Sequence, residues 1–370
     1  MVKTCFLLFI HNSIIKHFLG FNHFYLFSMI SFINLPTLET LSFCRQNLTF
    51  SGLYDKVHSR KEGKFMSKCI INEYLVTNSK LNSNNQQIAF ISDIHSDVNK
   101  LEMLVQKLKE FKVPTLLIGG DIIDSTENIK RNLIIKELLH ELAKTMKIFI
   151  TIGNHDMIYF DKKSNNHRGE VKSSNLDLFE TLANDNIYVP QIPYNKDTFN
   201  KWTLNDEIDI SSLNLPIDYY WNKENINNFI TLLDEVEKPD INTHKFNILL
   251  CHSPKNILTP GTSNEYLNQF DLILTGHMHS GLIPYFLRKQ TYGRGLVGPY
   301  MSLLPKYAYG YINNESTLLI SGGVTKISSS SELGSHKLFD IIYPGELELF
   351  SLQNGTDNSF KKVKTKKMMP

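Results

Sequence analysis

From about Cys69 onward, short apolar runs alternate with amphipathic ones, and the change of period predicts strand and helix in turn. Residues 70–81 are strand-like, 87–92 are an apolar run of strand length, and 98–111 place Leu101, Leu104, Val105 and Leu108 at helical spacing. Residues 114–118 then predict a strand, 129–146 a helix and 147–152 another strand. Helices follow near 174–183 and 224–236, with strands at 246–250 and 272–275. Past Gly281 the pattern turns β-rich, and 316–321, 338–342 and 346–352 predict strands. Alternating elements followed by strands predict an α/β sandwich. No internal repeat is visible.

Residues 1–36 differ in kind. They are rich in Phe, Leu and Ile, and from His17 to Leu38 there is no Asp, Glu, Lys or Arg. That run is long enough to span a bilayer, although His17, Asn22 and His23 make it impure. Two other readings stay open: a signal sequence, for which the small-residue cleavage site is missing, and a peptide upstream of a start at Met29 or Met66. Arg45, Lys56, Arg60, Lys61 and Lys64 follow the run while only Lys3 and Lys16 precede it. That asymmetry favours a membrane-associated chain with its catalytic domain in the cytoplasm; without the segment the chain is expected to be cytoplasmic. The expected organisation is an apolar anchor over 1–36, a polar linker over 37–68, a catalytic domain over 69–353 and a basic, solvated tail over 354–370.

A length of 370 residues with 42% hydrophobic content permits a sizeable core and excludes a disordered or fibrous chain. Lys+Arg of 39 against Asp+Glu of 37 gives a formal net charge of +2, so no overall field attracts nucleic acid. A charged partner has to be recognised locally. Cys5, Cys44, Cys69 and Cys251 form no CxxC pair and are read as thiols, Cys251 as a small apolar residue at a buried strand end. No obligate protein partner is evident.

The chemistry-bearing residues stand where predicted strands end. Asp93-Ile-His95, Gly120-Asp121-Ile-Ile-Asp124, Gly153-Asn154-His155-Asp156, His252 and Gly276-His277-Met-His279 each follow a strand-like run. In an open α/β sheet ligands bind outside the carboxyl ends of the strands, so five such ends can form one polar cluster. Carboxylate, imidazole and amide oxygen suit Zn, Mn or Fe, and the absence of thiolate argues against a closed structural zinc site. A glycine before Asp121, Asn154 and His277 lets the backbone turn sharply there. Asp124 has a second reading as the cap of the helix that follows.

In this order the motifs resemble the calcineurin-like metallophosphoesterase superfamily, whose hallmarks are DxH, GDxxD, GNHD, a single His and GHxH. All five occur between about 69 and 352. The resemblance implies a four-layer α/β/β/α sandwich holding two divalent ions, of Mn, Fe, Zn or Co. Carried over residue by residue, it implies that Asp93, His95 and His279 hold one ion, that Asn154, His252 and His277 hold the other, and that Asp121 bridges them. It also implies His155 as general acid, oriented by Asp156. The chemistry is coherent: two ions about 3.5 to 4 Å apart can clamp a phosphoryl oxygen and lower the pKa of a bridging water towards ~7. An unligated histidine can then protonate the leaving group.

Protein serine/threonine phosphatases carry arginine directly after GDxxD and Glu at the end of GNHD, whereas Ser125 and Asp156 stand at those places here. The apolar N-terminal segment and the 276–281 stretch instead look like bacterial membrane-anchored phosphoesterases, some of which cleave lipid-linked pyrophosphates. The expected reaction is hydrolysis of a phosphomonoester, phosphodiester or pyrophosphate bond in a phosphorylated small molecule or lipid, such as a UDP-diacylglucosamine-type pyrophosphate. The alternatives are a nuclease or cyclic-nucleotide phosphodiesterase and, from another class, a catalytically silent metal-binding scaffold. No nucleic-acid partner is expected. A long insert over 282–314 could serve as a lid or acyl-chain platform, with Arg288, Lys289, Arg294 and Lys306 either as phosphate clamps or as solvated cations.

Overall fold

In the computed structural model, which describes residues 69–83, 86–124, 129–157, 173–190, 198–215, 218–221, 236–258, 265–299, 302–326 and 337–368, strand β3 (Thr115–Ile118) is buried at every position. A strand with no wet face needs a layer on each side. Leu117 enters a core between two sheets, while Leu116 and Ile118 enter a core beneath helices. The same alternation holds in β2 (Gln86–Ile91), where Ile88 and Phe90 face the second sheet and Ala89 and Ile91 the helices.

The first sheet has the order β13-β1-β12-β2-β3-β4-β5 and the second β10-β11-β9-β8-β7-β6. The first takes β1 (Cys69–Asn78), β4 (Lys147–Ile150), β5 (Ile187–Tyr188), β12 (Gly345–Asn354) and β13 (Ser359–Lys367) beside β2 and β3. The second is built from β6 (Thr198–Thr203), β7 (Ile208–Asn214), β8 (Phe246–Cys251), β9 (Leu272–Thr275), β10 (Gly310–Asn313) and β11 (Thr317–Ile320). Strands β2 to β5 run parallel, as do β7, β8, β9 and β11. Register aligns Phe90, Leu117 and Phe149 in one row, and this row packs with Ile248, Leu250, Leu272 and Leu274 of the second sheet. The sandwich expected from the sequence is therefore present, with β-sheet stacked on β-sheet.

Helix α1 (Val98–Phe111) begins at Asp97, whose side chain accepts from the Lys100 N–H, and ends at Lys112 in the left-handed region. Its Leu101, Leu104 and Leu108 join Leu139 and Leu142 of α2 (Ile129–Ala143) and Phe179 of α4 (Ser173–Leu182) over the first sheet. The one-turn α3 (Asn154–Met157) follows β4. Tyr220, Ile241, Leu267 and Phe270 share a cluster with the outer residues Leu249 and Ile273 of the second sheet. The helix expected over 224–236 and the apolar segment over 1–36 lie outside the described residues. Among the described residues no helix is long and apolar enough to cross a membrane.

Two expectations need correction. Residues 338–342, read as a strand, lie in a helix over Lys337–Ile342. A short apolar run does not reveal its period, and in the helix Asp340 meets Lys100 of α1 at 2.8 Å. The lysine-rich stretch read as a solvated tail contains β13, antiparallel to β1 at the sheet's edge. Its exposed lysines keep that edge from pairing further.

Candidate metal centre

Parallel strands in both sheets deliver their carboxyl ends to one pole, and backbone hydrogen bonds stitch the loops that follow them. The N–H of Asp93 donates to Gly120 O and that of His95 to Asp121 O, each at 3.0 Å. Across the two sheets, the His277 N–H donates to the Asp93 carboxylate at 3.0 Å, and His252 Nδ1 lies 2.6 Å from Gly119 O. The stitching is tight enough to dictate glycine: a Cβ at Gly153 would lie 2.2 Å from Asp121 Oδ1. Asp93, His95, Asp121, His277 and His279 all have positive φ, a conformation uncommon outside glycine and concentrated here at one site.

The structure brings six of the seven expected ligands together in two groups. Asp93, His95 and His279 converge in one, with His279 Nε2 3.6 Å and His95 Nε2 4.0 Å from Asp93 Oδ1. Asp121, His252 and His277 form the other, with the Asn154 carboxamide oxygen buried in the neighbouring loop. Asp121 Oδ2 stands 3.1 Å from His252 Nε2 and 3.6 Å from His95 Nε2, so it faces both groups.

These donors fit divalent ions on a physical test that owes nothing to motif. Both ring nitrogens of His95 and Oδ1 of Asn154 are buried without a hydrogen-bond partner, and Nε2 of His252 and Oδ2 of Asp121, also buried, face each other at 3.1 Å. Buried polar atoms are normally satisfied, and this many orphans in one place describe a cation's coordination shell. The ring nitrogens are also pre-set. Nδ1 of His252 faces Gly119 O and that of His279 faces Thr325 O at 2.9 Å, which leaves Nε2 of each as the free lone pair. Burial holds His95 down to about 4 and depresses His277 and His279, keeping the neutral, metal-binding form. Burial also disfavours charged His252, but the Asp121 carboxylate more than reverses it and raises the group to about 9. A cation between the two would take that proton's place.

The expected catalytic pair is arranged differently. The Asp156 carboxylate accepts from the N–H groups of Asp121, Ile122, Ile123 and Gly153 at 2.9 to 3.1 Å. It holds the 120–123 turn against the 153–156 turn. The carboxylate beside the His155 ring is Asp124, with Oδ1 3.5 Å from Nδ1. His155 is about a third exposed, packs edge-on against His95 with centroids 4.5 Å apart, and donates its backbone N–H to Asp121 Oδ1 at 2.8 Å. Burial alone would lower its pKa, but Asp121 and Asp124 raise it.

Tyr220, which the sequence did not single out, packs 5.4 Å from the His277 ring and 5.9 Å from that of His252. Its signal was the aromatic run Tyr219-Tyr220-Trp221. Cys251 is fully buried, its thiol is pushed up to about 12 by burial, and it belongs to none of the ligand groups among the described residues. Arg288 is not free to clamp a phosphate, because its guanidinium meets Glu346 at 2.8 Å. A cleft of about 380 Å³ lined by Gln87, Lys112, Thr115, Lys147 and Asn205 lies at the opposite pole, where β2 to β4 begin.

Residues 87–281 match the family model of the calcineurin-like phosphoesterases. An uncharacterized metallophosphoesterase of Campylobacter jejuni is 30% identical over 206 residues, covering 54% of this chain and 46% of that protein. The chain thus spans about half the length of the curated relative it matches. Among solved structures, a dimetal phosphatase from Danio rerio is 11% identical, covering 65% of this chain and 88% of that one at a TM-score of 0.37. The purple acid phosphatase of yellow lupin seeds is 14% identical, covering 67% and 45% at a TM-score of 0.36.

Proposed function

We propose that this chain, which belongs to the calcineurin-like phosphoesterase family, is a metal-dependent phosphoesterase that cleaves a phosphoester or pyrophosphate bond in a lipid-bearing substrate. One observation carries the hydrolytic part: orphaned donors around Asp121 adjoin a part-exposed imidazole, His155, that has its own carboxylate. Asp93, His95 and His279 would hold one divalent ion, and Asn154, His252 and His277 the other, with Asp121 between them. When bound, such ions supply Lewis acidity to the phosphoryl group and to the attacking water.

The remaining work falls to side chains of this chain. His155, whose pKa the Asp121 and Asp124 carboxylates raise, would give its proton to the departing oxygen. Asp124 orients the ring through Nδ1 and compensates its charge. Asp156 fixes the turn from which Asp121 projects. The lipid part is supported by Phe286, Tyr292, Leu303 and Leu304, all exposed in the insert that follows His279, and by the apolar run before Leu38.

Turnover of bis-p-nitrophenyl phosphate and p-nitrophenyl phosphate should cease with a chelator and return with added Mn²⁺; turnover unchanged by chelation would dispose of the metal-dependent reading. For the substrate class, a diacylated pyrophosphate should give a higher kcat/KM than its deacylated counterpart, and equal values would remove the lipid. Asp124→Asn tests the acid. A general acid works while protonated, so activity falls as pH rises through its pKa. Losing the Asp124 charge lowers the His155 pKa, and the falling limb of the kcat/KM profile should move to lower pH with metal content unchanged. A limb that stays in place would show that Asp124 does not serve His155.

A further inference from the structure

Three charged side chains lie beside the site but outside its donor set, Glu346 and Lys326 buried and Arg288 half-buried. Glu346 shares its face of β12 with Phe350 and Leu352, which fill the core between the sheets. Lys326 is fully buried and donates from Nζ to Glu346 Oε1 at 2.6 Å, and Arg288 reaches the same oxygen at 2.8 Å. Apolar side chains of similar volume would fill this space at lower cost.

What the three charges touch lies on one side of the centre only. Ser280, next to His279 and at φ 57°, is their hub: its Oγ donates to Glu346 Oε1 at 2.9 Å and accepts from Arg288 at 2.6 Å and from Lys326 at 3.1 Å. Lys326 Nζ also binds Gly322 O, and Gly323 O at 3.1 Å, closing the 322–326 turn on itself. That turn lies directly behind the Asp93 loop. The Val324 N–H donates to Ser92 O, the Thr325 N–H to Asp93 O, and Thr325 Oγ1 to Ile94 O, at 2.8 to 3.0 Å. Thr325 O is the acceptor facing His279 Nδ1.

We infer that Lys326, Glu346 and Arg288 are positioning residues for the Asp93–His95–His279 half of the centre, and that Arg288 ties the 282–314 insert to that half. The inference rests on the proposed reading of these residues as ion ligands. Burial alone would push the Glu346 carboxyl up, but Arg288 and Lys326 bring it well below the usual range, while burial brings Lys326 down to about 8. Loosening the clasp would let the 322–326 turn shift, and with it the backbone of Asp93 and the ring of His279. The residues Asp121, Asn154 and His252 receive none of these contacts.

The test is Mn²⁺ titration of the metal-stripped full chain, with free ion followed by EPR. Wild type should show two binding steps. Lys326→Met keeps the side-chain volume and leaves Glu346 paired with Arg288; it should weaken one step about 10–100-fold and the other by less than about 3-fold. The step should be the one that Asp93→Asn abolishes, and Lys326→Met should add nothing in the double variant. Arg288→Met should act in the same direction and Arg288→Lys should recover part of the loss, which separates positioning from a general loss of packing. Should Lys326→Met fail to fold by circular dichroism, the Arg288 pair carries the same test. Equal weakening of both steps, or of neither, overturns the clasp. A wild type that takes up fewer than two ions overturns the ion-site reading beneath it.

Discussion

Asp121→Asn should lose both ions and, with them, more activity than the roughly 10–100-fold typical of changes around a metal's ligands. Asp121 faces both groups, with Oδ2 3.1 Å from His252 Nε2 and 3.6 Å from His95 Nε2. Asparagine keeps an oxygen for the His155 N–H that Oδ1 accepts, so the turn should survive while the charge shared by two cations disappears. Elemental analysis and kcat/KM on a nitrophenyl diester check both halves of this expectation. A variant retaining two metals per chain and full activity would refute the bridging role.

His155→Ala should keep both ions but slow the cleavage of alkyl esters far more than that of nitrophenyl esters. A general acid contributes about 10² to 10⁴-fold, and a leaving group that departs as a stable anion needs it least. The competing possibility is structural, since His95, Asp124 and His155 also lie close enough to share an ion. The decisive quantity is the alkyl-to-aryl ratio of kcat/KM in variant and wild type, alongside metal content. Equal losses on both substrates would remove the acid role, and a missing ion would make His155 a ligand.

The way the site can be read from the chain differs from residue to residue. His95 and His279 were legible because a ligand has to be an imidazole, carboxylate or amide placed just past a strand, and both conditions are local. The partner of His155 was not. Asp156 is its sequence neighbour, yet the one-turn α3 folds the Asp156 carboxylate back onto the N–H groups of Asp121, Ile122 and Ile123. Asp124 arrives from the adjacent parallel strand's loop instead.

The same division runs through the fold. Period and residue type along the chain were enough for α1, for the buried strands β2, β3, β8 and β9, and for the family-bearing motifs at their ends, because each depends on a few consecutive residues. In β12, Glu346 and Glu348 alternate with Leu347 and Leu349, the pattern of a strand with one wet face, yet both glutamates are buried. Glu346 finds Arg288 and Lys326, brought from beyond the second sheet, and Asn72 of β1, while Glu348 accepts from Ser321 just past β11. The helix over Lys337–Ile342 and the edge strand β13 were decided in the same way, by Lys100 and by β1. A local pattern specifies what an element can be; which charge meets which, and which face stays dry, depends on the register and stacking of segments far apart in sequence.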